Sequence, residues 1–222
     1  MEPLDYQQRD DAKREIGWRR RLFGPSCDDV WKQLADQIGA GHEPGKWWRP
    51  GRVRAGVGPW RLTLDIEWRG RHKNSPYTRL RAPFANPRDF RFLVRRALPF
   101  FDDIGKLFGM QDVTVGDAWF DEAFILKSNH ETYLRFFLRD RRLRELIAAH
   151  PDVVLEVEQD AGDDSFGAPL PAIVDVLEFT AYGEMKDIER LHLLFDMFVA
   201  ALNRLCEIRT ATALPPGVDL AE

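Results

Sequence analysis

The stretch Trp60 to Trp68, WRLTLDIEW, constrains the fold more than any other part of the chain. Trp60, Leu62, Leu64, Ile66 and Trp68 point one way, and Arg61, Thr63, Asp65 and Glu67 point the other. Side chains alternate across a strand, so this pattern specifies a strand with one face in a core and one polar face. Three neighbouring runs repeat the pattern. Val53, Ala55 and Val57 alternate with Arg52, Arg54 and Gly56. Thr78, Leu80, Ala82 and Phe84 alternate with Tyr77, Arg79 and Arg81, and Phe90, Phe92 and Val94 with Arg91, Leu93 and Arg95. The connections at Gly58-Pro59, Gly70 to Pro76 and Asn86-Pro87 are short and rich in turn residues, which predicts a four-stranded antiparallel meander.

Placed side by side, the four strands present Arg52, Arg54, Arg61, Arg79, Arg81, Arg91 and Arg95 on the face opposite the apolar one, with Arg69 near its edge. Asp65 and Glu67 oppose them there. Aligned guanidiniums repel, so such a row calls for anionic company. That company is nucleic-acid phosphate, an anionic membrane surface, or the chain's own acidic half. Tryptophan interleaved with arginine suits stacked single-stranded bases. Here, however, Trp60 and Trp68 fall in phase with the apolar face and are expected in the core. Charge is unevenly divided along the chain: residues 46–96 carry a net +11 and residues 97–222 a net −13, within an overall −4. Such asymmetry points to an anionic partner or to internal pairing.

The second half turns on Gly116 to Leu138, read as a strand running into a capped helix. Ser128 to Glu131 has the Ser-x-x-Glu spacing of a capping box, and Leu134, Phe137 and Leu138 mark one helix face. A helix at Arg141 to His150, a strand at Val153 to Val157 and another at Ile173 to Tyr182 follow. Asp187 then caps a long helix striped by Ile188, Leu191, Phe195, Phe198, Leu202 and Leu205. Before the sheet, Ser26 to Gly39 reads as one helix. The expected fold is α+β: an N-terminal helix, the four-stranded sheet, then a β-α-α-β-β-α lobe ending in the long C-terminal helix. The expected organisation is an N-terminal arm (1–23), one globular domain (24–209) of two lobes (24–115 and 116–209), and a flexible tail (210–222). A short helix is expected at 99–109, and Trp47 and Trp48 sit in a Gly/Pro loop.

Phe120, Asp121, Phe124, Asn129 and Leu138, within FDEAFILKSNHETYLRFFLRDRRLREL, resemble the carboxyl-terminal part of an uncharacterised bacterial protein family. VVLEVEQD, LEFTAYGEM and the terminal helix continue the likeness over roughly residues 116–207, and TRLRAPF at Thr78 to Phe84 resembles a signature of such proteins. The resemblance implies the β-α-α-β-β-α order and brings no activity. Some members of that family carry membrane-spanning segments ahead of this region; no window here approaches ~18 consecutive apolar residues, so a membrane role is not carried over.

Several chemistries lack their signatures. No HExxH or CxxC is present, and His42, His72, His130, His150 and His192 have no helical i, i+3 or i+4 partner, so no metal site is expected. GxSxG, P-loop and GxGxxG are missing, so no cofactor is expected. Cys27 and Cys206 read as buried thiols, and with no export signal at the acidic start the chain is placed in the cytoplasm. Trp18, Leu22 and Phe23 beside Arg19, Arg20 and Arg21 suit either a membrane surface or docking on the domain. Asp102-Asp103 and Asp117, Asp121 and Glu122 form carboxylate clusters, fit either for general acid–base work or for capping turns. The leading expectation is a non-catalytic binding or interaction module whose arginine face meets an anionic partner, with a protein partner or a homo-oligomer as other possibilities. The competing ones are an enzyme using the Asp117, Asp121 and Glu122 cluster, and a purely structural subunit.

Overall fold

The computed structural model describes residues 25–46, 51–70, 75–97, 110–158, 171 and 173–217. The N-terminal arm, Trp47, Trp48, the expected helix at 99–109 with Asp102 and Asp103, and nearly all of the acidic loop at 159–171 lie outside them. The described chain is α+β, with one antiparallel sheet of nine strands and five helices.

The strands are β1 (Gly41–Glu43), β2 (Arg52–Val57), β3 (Trp60–Arg69), β4 (Ser75–Ala85), β5 (Phe92–Arg96), β6 (Gln111–Asp112), β7 (Phe124–Ser128), β8 (Val154–Glu158) and β9 (Val174–Tyr182). Their spatial order is β1-β2-β3-β4-β9-β8-β5-β7-β6. The helices are α1 (Cys27–Ile38), α2 (Ala118–Ala123), α3 (Glu131–Phe137), α4 (Arg141–Ala148) and α5 (Ile188–Glu207).

The expected four-strand meander is corrected to a larger sheet. β2, β3 and β4 pair in succession, but β4 then pairs with β9, and β5 pairs with β8 and β7. At ~4.8 Å per neighbour, β4 and β5 stand roughly 14 Å apart. The connection after β4 explains why they do not form a hairpin. Asn86 is buried; its Oδ1 accepts from Phe90 N at 3.2 Å, and its Nδ2 donates to Phe90 O at 3.0 Å and to Asp175 Oδ2 at 2.5 Å. Asp89 takes a left-handed φ of 48°. The chain is thereby turned away from β4 and tied to the start of β9.

One apolar line crosses seven strands: Val53, Leu64, Leu80, Phe179, Leu155, Val94 and Leu126 are mutual partners in register and all are buried. Burying this face supplies the main drive to fold, at ~25 cal/mol per Å² of apolar surface. Helices cover it. α5 contacts α1, α3 and α4, α1 lies against β2, and Phe137 of α3 meets Phe92 of β5 with ring centroids 4.8 Å apart. Leu191, Phe195, Phe198, Leu202 and Leu205 of α5 are buried as the stripe predicts, and so are Leu194 and Met197. α1 begins with a capping box between Ser26 and Asp29 and ends at Gly39, whose φ of 68° favours glycine.

Three local expectations change. Ser128 does not cap α3: it closes β7, donating to Arg91 O at 2.9 Å and accepting from His130 N at 2.9 Å. His130 is the N-cap, its ring nitrogen accepting from Tyr133 N at 3.4 Å. Trp60 is core, but Trp68, in the same phase, is 42% exposed because it lies near the end of β3. The stretch after α5 starts out docked: Thr210 and Ala211 are buried, and Thr212 N donates to Ala85 O at 3.2 Å.

Candidate functional site

The arginines predicted to form one anion-binding row are distributed over two parts of the sheet. Register sets Arg54, Thr63, Arg81, Glu178 and Glu156 in one line across β2, β3, β4, β9 and β8. The next line runs Asp65, Arg79, Thr180, Val154 and Arg95. Strands β9 and β8 of the acidic half therefore stand between the arginines of β4 and those of β5.

At the centre of this face Asp65 gathers three guanidiniums. Arg79 donates through Nε at 2.8 Å and through Nη2 at 3.1 Å, Arg81 donates through Nη2 at 2.9 Å, and Arg52 Nη2 lies at 4.0 Å. Burial pushes the Asp65 carboxyl up; the hydrogen bonds from Arg79 and the charges of Arg79, Arg81 and Arg52 outweigh it and hold the group below its usual range. Arg81 is 1% exposed, and burial lowers its own pKa against the pull of Asp65. Beside them, Arg69 joins Glu67 at 2.6 Å and Glu178 at 3.3 Å. The remaining predicted residues lie further out. Arg54 pairs with Glu43 at 3.1 Å, Arg91 with Asp89 at 3.0 Å, Arg61 is exposed, and Arg95 is half-buried.

Two of the acidic trio, Asp117 and Asp121, are occupied by structural work. Asp117 caps α2, accepting from Phe120 N at 3.2 Å, and meets Arg144 Nη2 at 3.2 Å. Asp121 accepts from Val115 N at 2.8 Å and from Gly116 N at 2.9 Å, closing the loop in front of its own helix. Glu122 is exposed. Cys27, at the start of α1, has its thiol pushed up to about 12, first by burial and then by Glu184, the opposite of an activated nucleophile. Among the described residues, no group of three or more His, Cys, Asp or Glu is placed to hold a metal ion, and no helix is long and apolar enough to cross a membrane.

A second region, which reasoning from the sequence passed over, is concave. Two adjoining hollows, of about 490 and 310 Å³, lie over α2, α3 and α4 and share Asp117 and Arg144. Arg135, Phe136 and Arg139 line the first; Trp119, Phe120 and Ala148 line the second. The rim is held from below. Arg144 Nη1 donates to Leu138 O at 2.6 Å and Arg139 O at 3.2 Å, and Arg204 of α5 donates to Phe136 O at 3.1 and 2.6 Å. The bonds to Leu138 O and Arg139 O satisfy carbonyls just past the end of α3, and those to Phe136 O add to the backbone N–H it already accepts from Arg139. The signal was present as the arginine density of RFFLRDRRLREL, but a charge run on a helix reads first as a solvated face.

Comparison with known proteins adds no relative: no family model, curated protein or solved structure matches the chain.

Proposed function

We propose that the protein is a non-catalytic binding module for an anionic partner, and that the partner sits in the hollows over α2, α3 and α4. The observation that carries this reading is the lining of the larger hollow: Arg135, Arg139 and Arg144 converge there beside a 46% exposed Phe136. Arginine suits this task because its planar fork binds carboxylate or phosphate through paired hydrogen bonds. The inner arginines of the sheet have a different role. Arg79 and Arg81 are taken up by Asp65, so they serve as scaffold. Of the carboxylates that an enzymatic reading would use, Asp117, Asp121 and Glu122, the first two are engaged by backbone N–H groups, which supports binding over catalysis.

One pair of variants separates the two arginine sets. Binding of a single-stranded oligonucleotide, of anionic vesicles and of an acidic peptide is titrated at ~50 mM salt, where surface charge is weakly screened. Arg135→Gln with Arg139→Gln abolishes binding and leaves the unfolding midpoint unchanged. Arg79→Ala lowers the unfolding midpoint and leaves binding intact. Loss of binding in a folded Arg79→Ala protein, with none in the Arg135/Arg139 variant, returns the site to the sheet face.

A further inference from the structure

The geometry points to a protein partner for the hollows over α2, α3 and α4: a segment with one acidic side chain set against Arg139 and an apolar side chain seated beside Trp119. This rests on the binding reading above and specifies its ligand.

Charge bookkeeping around the hollows decides against a polyanion. Arg135 pairs with Glu131 at 2.7 Å, Arg141 with Glu145 at 2.8 Å, and Arg144 with Asp117 at 3.2 Å. Arg139 is exposed, and its guanidinium has no partner among the described residues. A chain of phosphates would therefore find one unengaged cation and three carboxylates close by. Phosphate-binding surfaces neutralise several charges at once, and their affinity comes from that. A single carboxylate asks only for what Arg139 offers.

Shape and composition agree. Both hollows are partly open to solvent, whereas a small ligand is held by a site that encloses most of its surface. A partly open surface of this kind is completed by a macromolecule that brings its own cover. Trp119 is 57% exposed and Phe136 46% exposed, one at each hollow. Large aromatics left in water beside arginine are the composition of interface centres, where Trp and Arg carry most of the binding energy. Trp119 is also braced, packing on Phe120 and Phe124 with ring centroids 6.4 and 6.3 Å away, so little freedom is lost when it is covered. The Arg144–Asp117 pair is shared by the two hollows, and it separates the arginine-lined subsite from the one beside Trp119.

The test uses the full chain and four probes. The first is a capped hexapeptide of alternating glutamate and phenylalanine. The second has glutamine in place of glutamate, the third alanine in place of phenylalanine, and the last is a thymidine oligonucleotide of similar length. Two NMR signals are followed, the Trp119 indole N–H, assigned with Trp119→Phe, and the Arg139 Nε–H. The expected result is saturable movement of both signals with the first peptide. The glutamine peptide, the alanine peptide and the Arg139→Gln variant each weaken binding by about tenfold. Equal binding of the glutamate and glutamine peptides overturns the acidic-residue inference. Movement of both signals by the oligonucleotide but by no peptide overturns the protein-partner inference and leaves the anionic-partner reading standing. No movement with any probe up to about 5 mM overturns both. The amide spectrum of each variant shows whether it is folded.

Discussion

Arg81 Nη2 lies 2.9 Å from Asp65 Oδ2, and the two side chains are 2% and 7% exposed. Neighbouring strands bring them together, because β3 and β4 register Thr63 against Arg81 and Asp65 against Arg79. Asp65 thus receives a guanidinium from directly across and another from one step along. Removing one member of a buried pair leaves the other charged and desolvated, at a cost of about 3–5 kcal/mol. Asp65→Asn is therefore expected to lower the unfolding free energy by about that amount, measured by urea titration. Lys32→Ala, which removes an exposed pair with Asp36, is expected to change it by less than about 0.5 kcal/mol.

A further prediction concerns acid. His150 is buried against Phe179, with ring centroids 5.3 Å apart. Burial, and then the charge of Arg190, lower its pKa from 6.5 to about 4, against a smaller opposing contribution from the Leu193 backbone. The unfolded chain thus takes a proton near 6.5 while the folded chain resists until about 4. This contribution to stability is complete above 6.5 and is lost as the pH falls toward 4, at up to ~1.4 kcal/mol per unit. Asp175 works the other way, since burial raises its carboxyl and that part of the stability fades as the pH rises. The comparison is therefore made between the wild type and His150→Leu. The wild type is expected to lose stability relative to His150→Leu steadily as the pH falls from about 6.5 to 4, followed by urea unfolding at each pH.

How far the sequence revealed this molecule follows from what periodicity encodes. Alternation gave the faces of β2, β3 and β4, and the spacing of Leu191, Phe195 and Phe198 gave the buried side of α5. Neighbours across a sheet are another matter, because strand pairing is settled by long-range contacts. Nothing local to Arg79 or Arg95 says that Thr180 and Val154 will lie between them. Phase does not report position along a strand either, so Trp68 shares the phase of the core residues and yet stands 42% exposed. The hollows were the least legible part. They depend on Arg144 and Arg204 reaching back to the end of α3, contacts that span six and sixty-eight residues.

The strand–helix corner yields a local prediction. Asn129 Oδ1 accepts from Arg91 N at 2.9 Å, and its Nδ2 donates to Asp89 O at 2.5 Å, tying the end of β7 to the turn before β5. Asn129→Ala removes both bonds at an exposed position where water substitutes in part, so a loss of about 1–2 kcal/mol is expected. Amide exchange gives the sharper readout, with the Arg91 N–H losing protection while that of Leu80 keeps its own.

Phe195 gives the test of the helical layer itself. It sits on α5 at 6% exposure, between the fully buried Leu191 and Phe198 on one broad face. α5 touches α1, α3 and α4, so a void there is felt across the helical layer over the sheet. Truncating a buried phenylalanine removes its transfer free energy and leaves a cavity that the surroundings only partly fill. Phe195→Ala is expected to cost about 3–5 kcal/mol in urea unfolding. Phe195→Leu, which keeps most of the volume, is expected to cost under about 1.5 kcal/mol. Trp119→Ala supplies the contrast: the ring is 57% exposed, and its loss is expected to cost clearly less than that of Phe195. A loss below about 1 kcal/mol for Phe195→Ala means that this face of α5 is a docking surface and not core, and that the sheet's apolar line is covered by some other element.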